Sequence, residues 1–273
     1  KFQIIGADSL DFKKCYPVDS FDKFSIMWDL NYFKYCFLKP QKIQFNELSL
    51  EKDFQKLANI LTKNPFNYFM YRDFQSRNIL IKNNKPHFID FQGGRKGPLP
   101  YDIISLLYQV RANIPDHIRK DLLHHYLNEI EKLIKIDKKE FFDQFTILLY
   151  IRIMQVLGAY GYRGLIERKK HFILSLPGAI RLLKETLEIW PLKISLPEIE
   201  RVLFMVSNIN TFDESEKDKL TVTINSFSYK NGVPFDNSGN GGGFVFDCRS
   251  LPNPGRNEKM KNFTGLEENI SDY

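Results

Sequence analysis

The sequence has few cysteines and no long hydrophobic run. Cys15, Cys36 and Cys248 are its three cysteines, and no two of them form a CxxC pair. This scattering favours reduced thiols in a cytoplasmic protein over a disulfide framework or a zinc site. No apolar run approaches the roughly 20 residues that cross a bilayer, and no basic start followed by an apolar stretch suggests secretion. The sequence therefore predicts a cytoplasmic protein without a membrane partner.

Glycine is equally scarce in the first third of the chain, where Gly6 is the only one before Gly93. This excludes a glycine-rich phosphate-binding loop ahead of Gly93, and no strand carrying a phosphate-binding lysine precedes Phe21. Charge is unevenly distributed, with a net +6 over the whole chain. Residues 221–273 hold 5 Lys+Arg and 6 Asp+Glu, so the first 220 residues carry +7. Positive charge there suits a ligand with phosphate groups.

Two short segments carry the side chains that are most informative about function. In Tyr71–Asn78, the carboxylate Asp73 precedes the amide Asn78 by five positions, and in Phe88–Phe91 the carboxylate Asp90 follows two apolar residues. Transfer of a phosphoryl group from a nucleotide needs such a set. One carboxylate takes the proton of the attacking hydroxyl, while an amide oxygen and a second carboxylate hold Mg²⁺ on the phosphates.

The residues between these segments predict a β-hairpin. Ile79–Lys82 and Pro86–Ile89 read as short strands around a turn at Asn83–Lys85. Such a hairpin would bring Asn78 and Asp90 back to one end, near one metal ion. The alternative is a coincidental hairpin, because aspartate at a strand end is often only a turn residue.

The motif resembles the catalytic and metal loops of the aminoglycoside phosphotransferase and choline kinase-like family, which read His-x-Asp-x-x-x-x-Asn and then a strand ending in Asp. Tyr71 stands where that family has the histidine. The fuller string looks most like the branch of bacterial cell-wall amino-sugar kinases, which act on N-acetylmuramate and N-acetylglucosamine. The resemblance implies ATP and Mg²⁺ as cofactors, Asp73 as catalytic base, and Asn78 and Asp90 as metal ligands.

The resemblance covers roughly 8–196 and implies a protein kinase-like C-terminal lobe. It also implies structural support of the catalytic loop by Tyr71 and by Asp102, although Asp102 could equally be an ordinary carboxylate at a helix start. The N-terminal lobe of such kinases, with its glycine-rich strand and lysine, is expected to be absent from residues 1–207.

Several further polar residues lie near the motif or on a mixed aromatic and polar helix segment, and could contact the sugar or a phosphate. They are Gln75, Arg77, Arg95, Asp29 and Asn31. Arg77 could equally be a salt-bridge partner, and the helix of Asp29 and Asn31 could equally be a half-buried packing helix. Arg168-Lys169-Lys170, preceded by Arg163, could face an anionic ligand or be a solvated helix end.

Elsewhere in the first 207 residues, apolar spacing predicts helices and little else. The first carries an apolar stripe of Phe24, Met27, Trp28, Tyr35 and Leu38, and the glycines of 93–97 predict a flexible loop. The predicted fold is therefore mainly α with a small β-hairpin, followed by a partial α/β domain. The predicted helices are Phe21–Leu38, Leu50–Thr62, one opening at Tyr101, Asp116–Ile134, Lys138–Tyr160 and Pro177–Ile189.

The amino-acid composition and pattern change after a predicted polar linker at 208–219. Leu220–Phe227 and Phe244–Asp247 alternate like strands, and residues 220–273 resemble the start of the RapZ C-terminal domain through Phe246-Asp247-Cys248-Arg249 and Leu251-Pro252-Asn253-Pro254. That resemblance implies a possible contact with RNA or an amino-sugar phosphate. Two functions therefore stay open: a phosphotransferase acting on a small-molecule sugar and a nucleotide, or a regulatory or RNA-binding adaptor with a ligand-sensing kinase-like lobe.

Overall fold

The computed structural model describes residues 1–209, 224–228, 230, 232–233, 244–248, 251–263, 267 and 270. The described part is mainly helical with small antiparallel strand pairs, as the sequence predicts. Its helices are α1 (Ile5–Ser9), α2 (Lys23–Phe33), α3 (Glu47–Leu61), α4 (Pro100–Leu107), α5 (Asp116–Glu131), α6 (Lys138–Tyr160), α7 (Lys170–Ile173), α8 (Leu176–Ile189) and α9 (Pro197–Ser207). Its strands are β1 (Tyr68–Met70), β2 (Ile79–Lys82), β3 (Lys85–Phe88) and β4 (Arg95–Gly97).

Helix α6 forms the centre of the core. It packs against α2, α4 and α8, and it continues as a π-helical segment over Gly161–Ile166. Within the described residues, Lys138–Ile166 is the one stretch long and apolar enough to cross a membrane, but 72% of its most apolar window is buried inside the protein. That burial is typical of a core helix.

Only part of the apolar stripe predicted for helix α2 is buried: Leu38 lies in the core and Met27 packs against it. Phe24, Trp28 and Tyr35 are exposed, while Ile26, Leu30 and Phe33 are among the residues that face the core. Apolar residues lie on every side of this helix, so their spacing does not select one face. The helix begins after Asp22, whose carboxylate accepts a hydrogen bond from the Ser25 amide at 2.8 Å. It then widens into a π-helical turn at Lys34–Leu38, which shifts the register of the later residues.

Helices α2 and α6 approach each other backbone to backbone at two glycines. A β-carbon on Gly158 would lie 2.8 Å from the Phe33 nitrogen, and one on Gly161 would lie 2.2 Å from the Cys36 carbonyl oxygen. Only glycine fits such contacts without moving a main chain. The two helices are therefore fixed against each other at this crossing.

The hairpin forms as predicted, with the second strand beginning one residue earlier. Strands β2 and β3 pair antiparallel from Ile79 opposite Phe88 to Lys82 opposite Lys85. Asn83 and Asn84 make the turn with φ of 51° and 58°. Two consecutive positive φ values suit the tightest hairpin turns, and asparagine tolerates them better than most residues.

A second strand pair was not predicted. Strand β4 lies where the sequence predicts a flexible loop, and it pairs antiparallel with β1, placing Met70 opposite Arg95. The loop prediction is wrong for these residues because the strand partners are distant in sequence and each is only three residues long. Since β1 and β4 meet, they close the intervening segment into a loop, and that segment contains Asp73, Asn78 and Asp90.

The chain forms two compact units, Lys1–Ser226 and Phe227–Tyr273. The predicted linker at 208–219 and residues 220–223 lie mostly outside the described residues. Residues 224–228 and 244–247 show no strand, contrary to the prediction. Ile224 and Phe244 are 90% and 91% exposed, and a strand needs a hydrogen-bonding neighbour beside it. The second unit has a short 3₁₀ turn at Pro254–Arg256 among its described residues.

Candidate functional site

Asp73, Asn78 and Asp90 meet at the end of the hairpin. The Asn78 side-chain amide donates to the Asp73 carbonyl oxygen at 2.8 Å and to the Asp90 carboxylate at 3.3 Å. Asn78 lies in a 3₁₀ turn, Ser76–Asn78, directly before β2. The Ile89 amide donates to the Asn78 carbonyl oxygen at 3.0 Å, which extends the hairpin pairing towards Asp90. The structure therefore brings together the three residues that the sequence predicts as base and metal ligands.

Two residues of this site have a left-handed backbone conformation. Asp90 has φ of +67° and Arg72 has φ of +76°. A residue other than glycine in this region is uncommon, and such conformations cost about 1–3 kcal/mol each and cluster at functional sites. Their position beside Asp73 and at the end of the hairpin favours a functional constraint on this loop.

Tyr71 links the two halves of the site. Its hydroxyl donates to the carbonyl oxygen of Ile89, the residue directly before Asp90. Burial raises the pKa of this phenol, and the nearby Asp90 carboxylate raises it further, so the hydroxyl keeps its proton and remains a donor. Tyr71 thus has the contacts expected of a supporting residue in the histidine position.

Asp102 holds the start of the loop that carries Asp73. Its carboxylate accepts hydrogen bonds from the Tyr71 amide at 2.8 Å, the Arg72 amide at 3.1 Å and the Gln3 side chain at 3.1 Å. Burial raises the pKa of Asp102 to about 7, although these three donors oppose the shift. These contacts exceed those of an ordinary carboxylate at a helix start and match the predicted supporting role.

Asp29 and Arg72 form a buried ion pair behind the loop. One Arg72 nitrogen lies 2.8 and 2.9 Å from the two Asp29 oxygens, and the other donates to the Tyr101 hydroxyl at 2.7 Å. Burial disfavours the charge on Arg72, but Tyr101 and Asp29 outweigh it, and the pKa of the guanidinium is raised. Asp29 is only 3% exposed, so the geometry favours a structural role over the predicted substrate contact.

The other predicted substrate residues lie at different depths. The Gln75 side-chain amide donates to the Asp73 carboxylate at 3.3 Å. Arg95 is buried, and its Nε donates to the Gly93 carbonyl oxygen at 3.0 Å; burial and the neighbouring Arg72 lower its pKa. Arg77 is exposed and forms no ion pair within the described chain, so the salt-bridge alternative finds no support. Asn31 is half-buried on α2.

Sequence reasoning missed three residues that position the loop. Arg72 and Tyr101 were not considered, although Arg72 is adjacent to Asp73. Gln109, just beyond α4, accepts hydrogen bonds from the Ser76 amide at 3.0 Å and the Ser76 hydroxyl at 2.8 Å. The proximity of Arg72 to Asp73 was an available signal, whereas nothing in the local sequence of Gln109 marks it.

The donor set suits Mg²⁺. Among the described residues there is no group of three or more His, Cys, Asp or Glu side chains that could hold a metal. Magnesium does not need one, because it usually takes one or two protein oxygens and completes its shell with waters and substrate phosphates. Asn78 and Asp90 offer an amide oxygen and a carboxylate side by side, so they fit such an ion.

Comparison with known protein families agrees with both resemblances. The model of the phosphotransferase enzyme family matches residues 37–135, and the model of the RapZ C-terminal domain matches residues 220–273. The first match contains Asp73, Asn78, Asp90 and Asp102. The segment around the site is therefore phosphotransferase-like in sequence, and the end of the chain is RapZ-like.

Curated relatives carry the name nucleotide-binding protein. One from Xylella fastidiosa is 34% identical over 113 residues, which is 38% of this chain and 35% of that protein. One from Fusobacterium nucleatum is 27% identical over 197 residues, covering 62% of this chain and 64% of that protein. One from Listeria innocua is 41% identical over 64 residues, covering 23% and 20%. The chain thus spans between a fifth and under two thirds of the length of these relatives.

Proposed function

We propose that this protein is an ATP-dependent phosphotransferase that phosphorylates a hydroxyl group of a small molecule, an amino sugar of cell-wall metabolism. The observation that carries the proposal is the convergence of Asp73, Asn78 and Asp90, with Asn78 bridging the other two. The match of residues 37–135 to the phosphotransferase family supports the reaction class. The amino sugar rests on the resemblance of the loop to the amino-sugar kinase branch.

Each residue then has a defined task. Asp73 orients the acceptor hydroxyl and accepts its proton, while Asn78 and Asp90 hold Mg²⁺. The bound Mg²⁺ would neutralise charge on the ATP phosphates during transfer. Tyr71, Asp102 and the Asp29–Arg72 pair keep the loop in place. Positioning contributes much of the rate in this chemistry, so a loop fixed by this many hydrogen bonds is suited to it.

An apolar surface beside the metal residues supports nucleotide binding. Leu80, Ile89 and Phe91 are 49%, 43% and 60% exposed, and they flank Asp90 on the hairpin and just after it. Exposed apolar groups next to polar ligands are typical of a site that receives a flat, partly apolar ligand. An adenine base is such a ligand.

Replacement of the base tests the proposal. We expect Asp73→Asn in the full-length protein to lower the rate of ATP-dependent phosphorylation of N-acetylglucosamine or N-acetylmuramate by about 10²–10⁴. Nucleotide affinity, measured by calorimetry, should change little. Asp121→Asn, which removes an exposed carboxylate from α5, is the matched control. A rate for Asp73→Asn within a few-fold of the control would remove Asp73 from the mechanism.

The RapZ-like segment supports a second function. Residues 220–273 match the RapZ C-terminal domain, and Tyr71 replaces the family histidine, as would be tolerated in a lobe that senses a ligand without turnover. In that case the protein is a regulatory or RNA-binding adaptor. Absence of phosphorylation of any amino sugar, together with RNA binding that depends on residues 220–273, would favour the adaptor.

A further inference from the structure

Four arginines near the loop that carries Asp73 have no carboxylate partner among the described residues. They are Arg77, Arg111, Arg152 and Arg163, called here the arginine cluster. Arg72, Arg119 and Arg201, in contrast, form ion pairs with Asp29, Glu185 and Glu198. Nearby Glu167 is paired with Lys169 at 2.9 Å instead.

Aromatic rings hold part of the cluster in place. The guanidinium carbons of Arg111 and Arg163 lie 5.9 and 5.4 Å from the centre of the Phe172 ring. The ring of Tyr160 lies 5.7 Å from the same ring. Stacking of this kind orients a guanidinium while leaving its hydrogen-bond donors available. The two arginines come from different elements, Arg111 from the α4–α5 connection and Arg163 from the π-helical segment that continues α6.

The cluster adjoins the catalytic loop. Arg77 follows Asp73 by four residues and lies on the same short turn as Asn78. Gln109 fixes this turn through Ser76, and Arg111 follows Gln109 by two residues. Burial raises the pKa of Tyr160, while Arg111, Arg152 and Arg77 oppose the shift. The charges of all three arginines therefore affect the pKa of the same phenol, that of Tyr160.

Arg152 is a buried member of the arginine cluster. It is 7% exposed, donates to the Gln155 side chain at 2.5 Å, and its guanidinium carbon lies 6.0 Å from the Tyr101 ring. Burial raises the pKa of Tyr101, the Arg152 charge lowers it and the Asp73 charge raises it. A buried charge without an opposite partner is unfavourable for folding. A bound anion nearby would offset that cost.

We propose that the arginine cluster is an oxyanion subsite and that the acceptor molecule therefore carries a carboxylate or phosphate group besides the hydroxyl that reacts. This inference rests on the proposed phosphotransferase function. Guanidinium groups bind both kinds of oxyanion through paired N–H donors. Arg77 lies on the same turn as the loop that carries Asp73. An oxyanion bound by the arginine cluster would therefore belong to the acceptor molecule, whose hydroxyl group reacts at Asp73.

Paired acceptors test the subsite in the full-length protein. N-acetylmuramate and N-acetylglucosamine differ by a lactyl group with a carboxylate, and glucosamine 6-phosphate supplies the phosphate arm. We expect the wild type to favour an anionic acceptor in kcat/KM. Arg111→Gln and Arg163→Gln should each lower the ratio of anionic to neutral kcat/KM by about 10- to 100-fold, since a hydrogen bond to a charged group is of that strength. Lys170→Gln, which removes an exposed charge from the same basic surface, should keep the ratio.

The outcomes separate this inference from the proposed function. Equal wild-type use of neutral and anionic acceptors, or an equal effect of Arg111→Gln on both, would overturn the subsite while leaving the phosphotransferase in place. If no acceptor is phosphorylated, calorimetry of the same three compounds decides. Binding of an anionic sugar that Arg111→Gln weakens and Lys170→Gln does not would retain the subsite, whereas binding insensitive to Arg111→Gln would reject it.

Discussion

Replacing Asp102 with asparagine should change how the stability of the protein depends on pH. Asp102 is buried, and its pKa is raised to about 7 from a value of 3.8 for the free side chain. Between these two values the folded protein holds the proton more tightly than the unfolded chain. The free energy of unfolding therefore receives its full contribution from Asp102 below pH 4 and loses it as pH rises through about 7.

The size of the effect follows from the shift. One pH unit corresponds to about 1.4 kcal/mol, so a pKa raised from 3.8 to about 7 corresponds to about 4 kcal/mol. In the wild type, the Tyr71 and Arg72 amides each donate to a different carboxylate oxygen of Asp102. Asparagine offers these two amides only one oxygen. Loss of one hydrogen bond should lower the free energy of unfolding of the variant by about 1–3 kcal/mol at low pH. Since asparagine does not titrate, this deficit should shrink or reverse as pH rises.

Urea denaturation between pH 4 and 8 measures the difference. Both tryptophans, Trp28 and Trp190, lie in the unit Lys1–Ser226, so their fluorescence reports on that unit. Asp137→Asn is a suitable control, because asparagine can also accept the N-cap hydrogen bonds of α6. A constant difference between wild type and Asp102→Asn across this range would show that Asp102 does not titrate as its burial requires.

Two further substitutions test the metal residues and their support. Asp90→Ala should raise the Mg²⁺ concentration for half-maximal activity by at least about tenfold, because even indirect changes at metal sites have effects of 10- to 100-fold; an unchanged Mg²⁺ titration would leave Asp90 as a turn residue. Tyr71→Phe removes the hydrogen bond to Ile89 and should lower the free energy of unfolding by about 0.5–1.5 kcal/mol and reduce kcat. Full activity with unaltered stability would show that the hydroxyl supports nothing.

The hairpin was predictable because its signals are local. Asparagines mark its turn, and short apolar runs such as Ile79–Ile81 mark its strands, so the meeting of Asn78 and Asp90 follows from short-range pairing. Helix α6 was predicted with the observed bounds, Lys138–Tyr160, because this segment is strongly apolar and contains no proline. Helix α9 was missed, although Pro197 at its first position and acidic residues in its first turn are ordinary start signals.

Long-range contacts account for the errors. Strand β4 exists only because β1, far back in the sequence, lies beside it. The role of Asp29 depends on Arg72, 43 positions later in the sequence. The local sequence around a helical carboxylate does not indicate whether that carboxylate binds a substrate or a buried guanidinium group. The exposed face of α2 could not be recognised, since aromatic residues such as Phe24 and Trp28 are usually assigned to the core.

The close crossing of α2 and α6 holds in place residues that support the candidate site from outside it. The crossing fixes Asp29, which anchors Arg72, relative to Arg152, which lies six residues before Gly158 on α6. A side chain introduced at Gly158 or Gly161 would push the helices apart and shift the anchor of the catalytic loop and the buried cation together. Substitutions should therefore be tolerated least at Gly158 and Gly161, although neither glycine contacts a ligand or belongs to a catalytic motif.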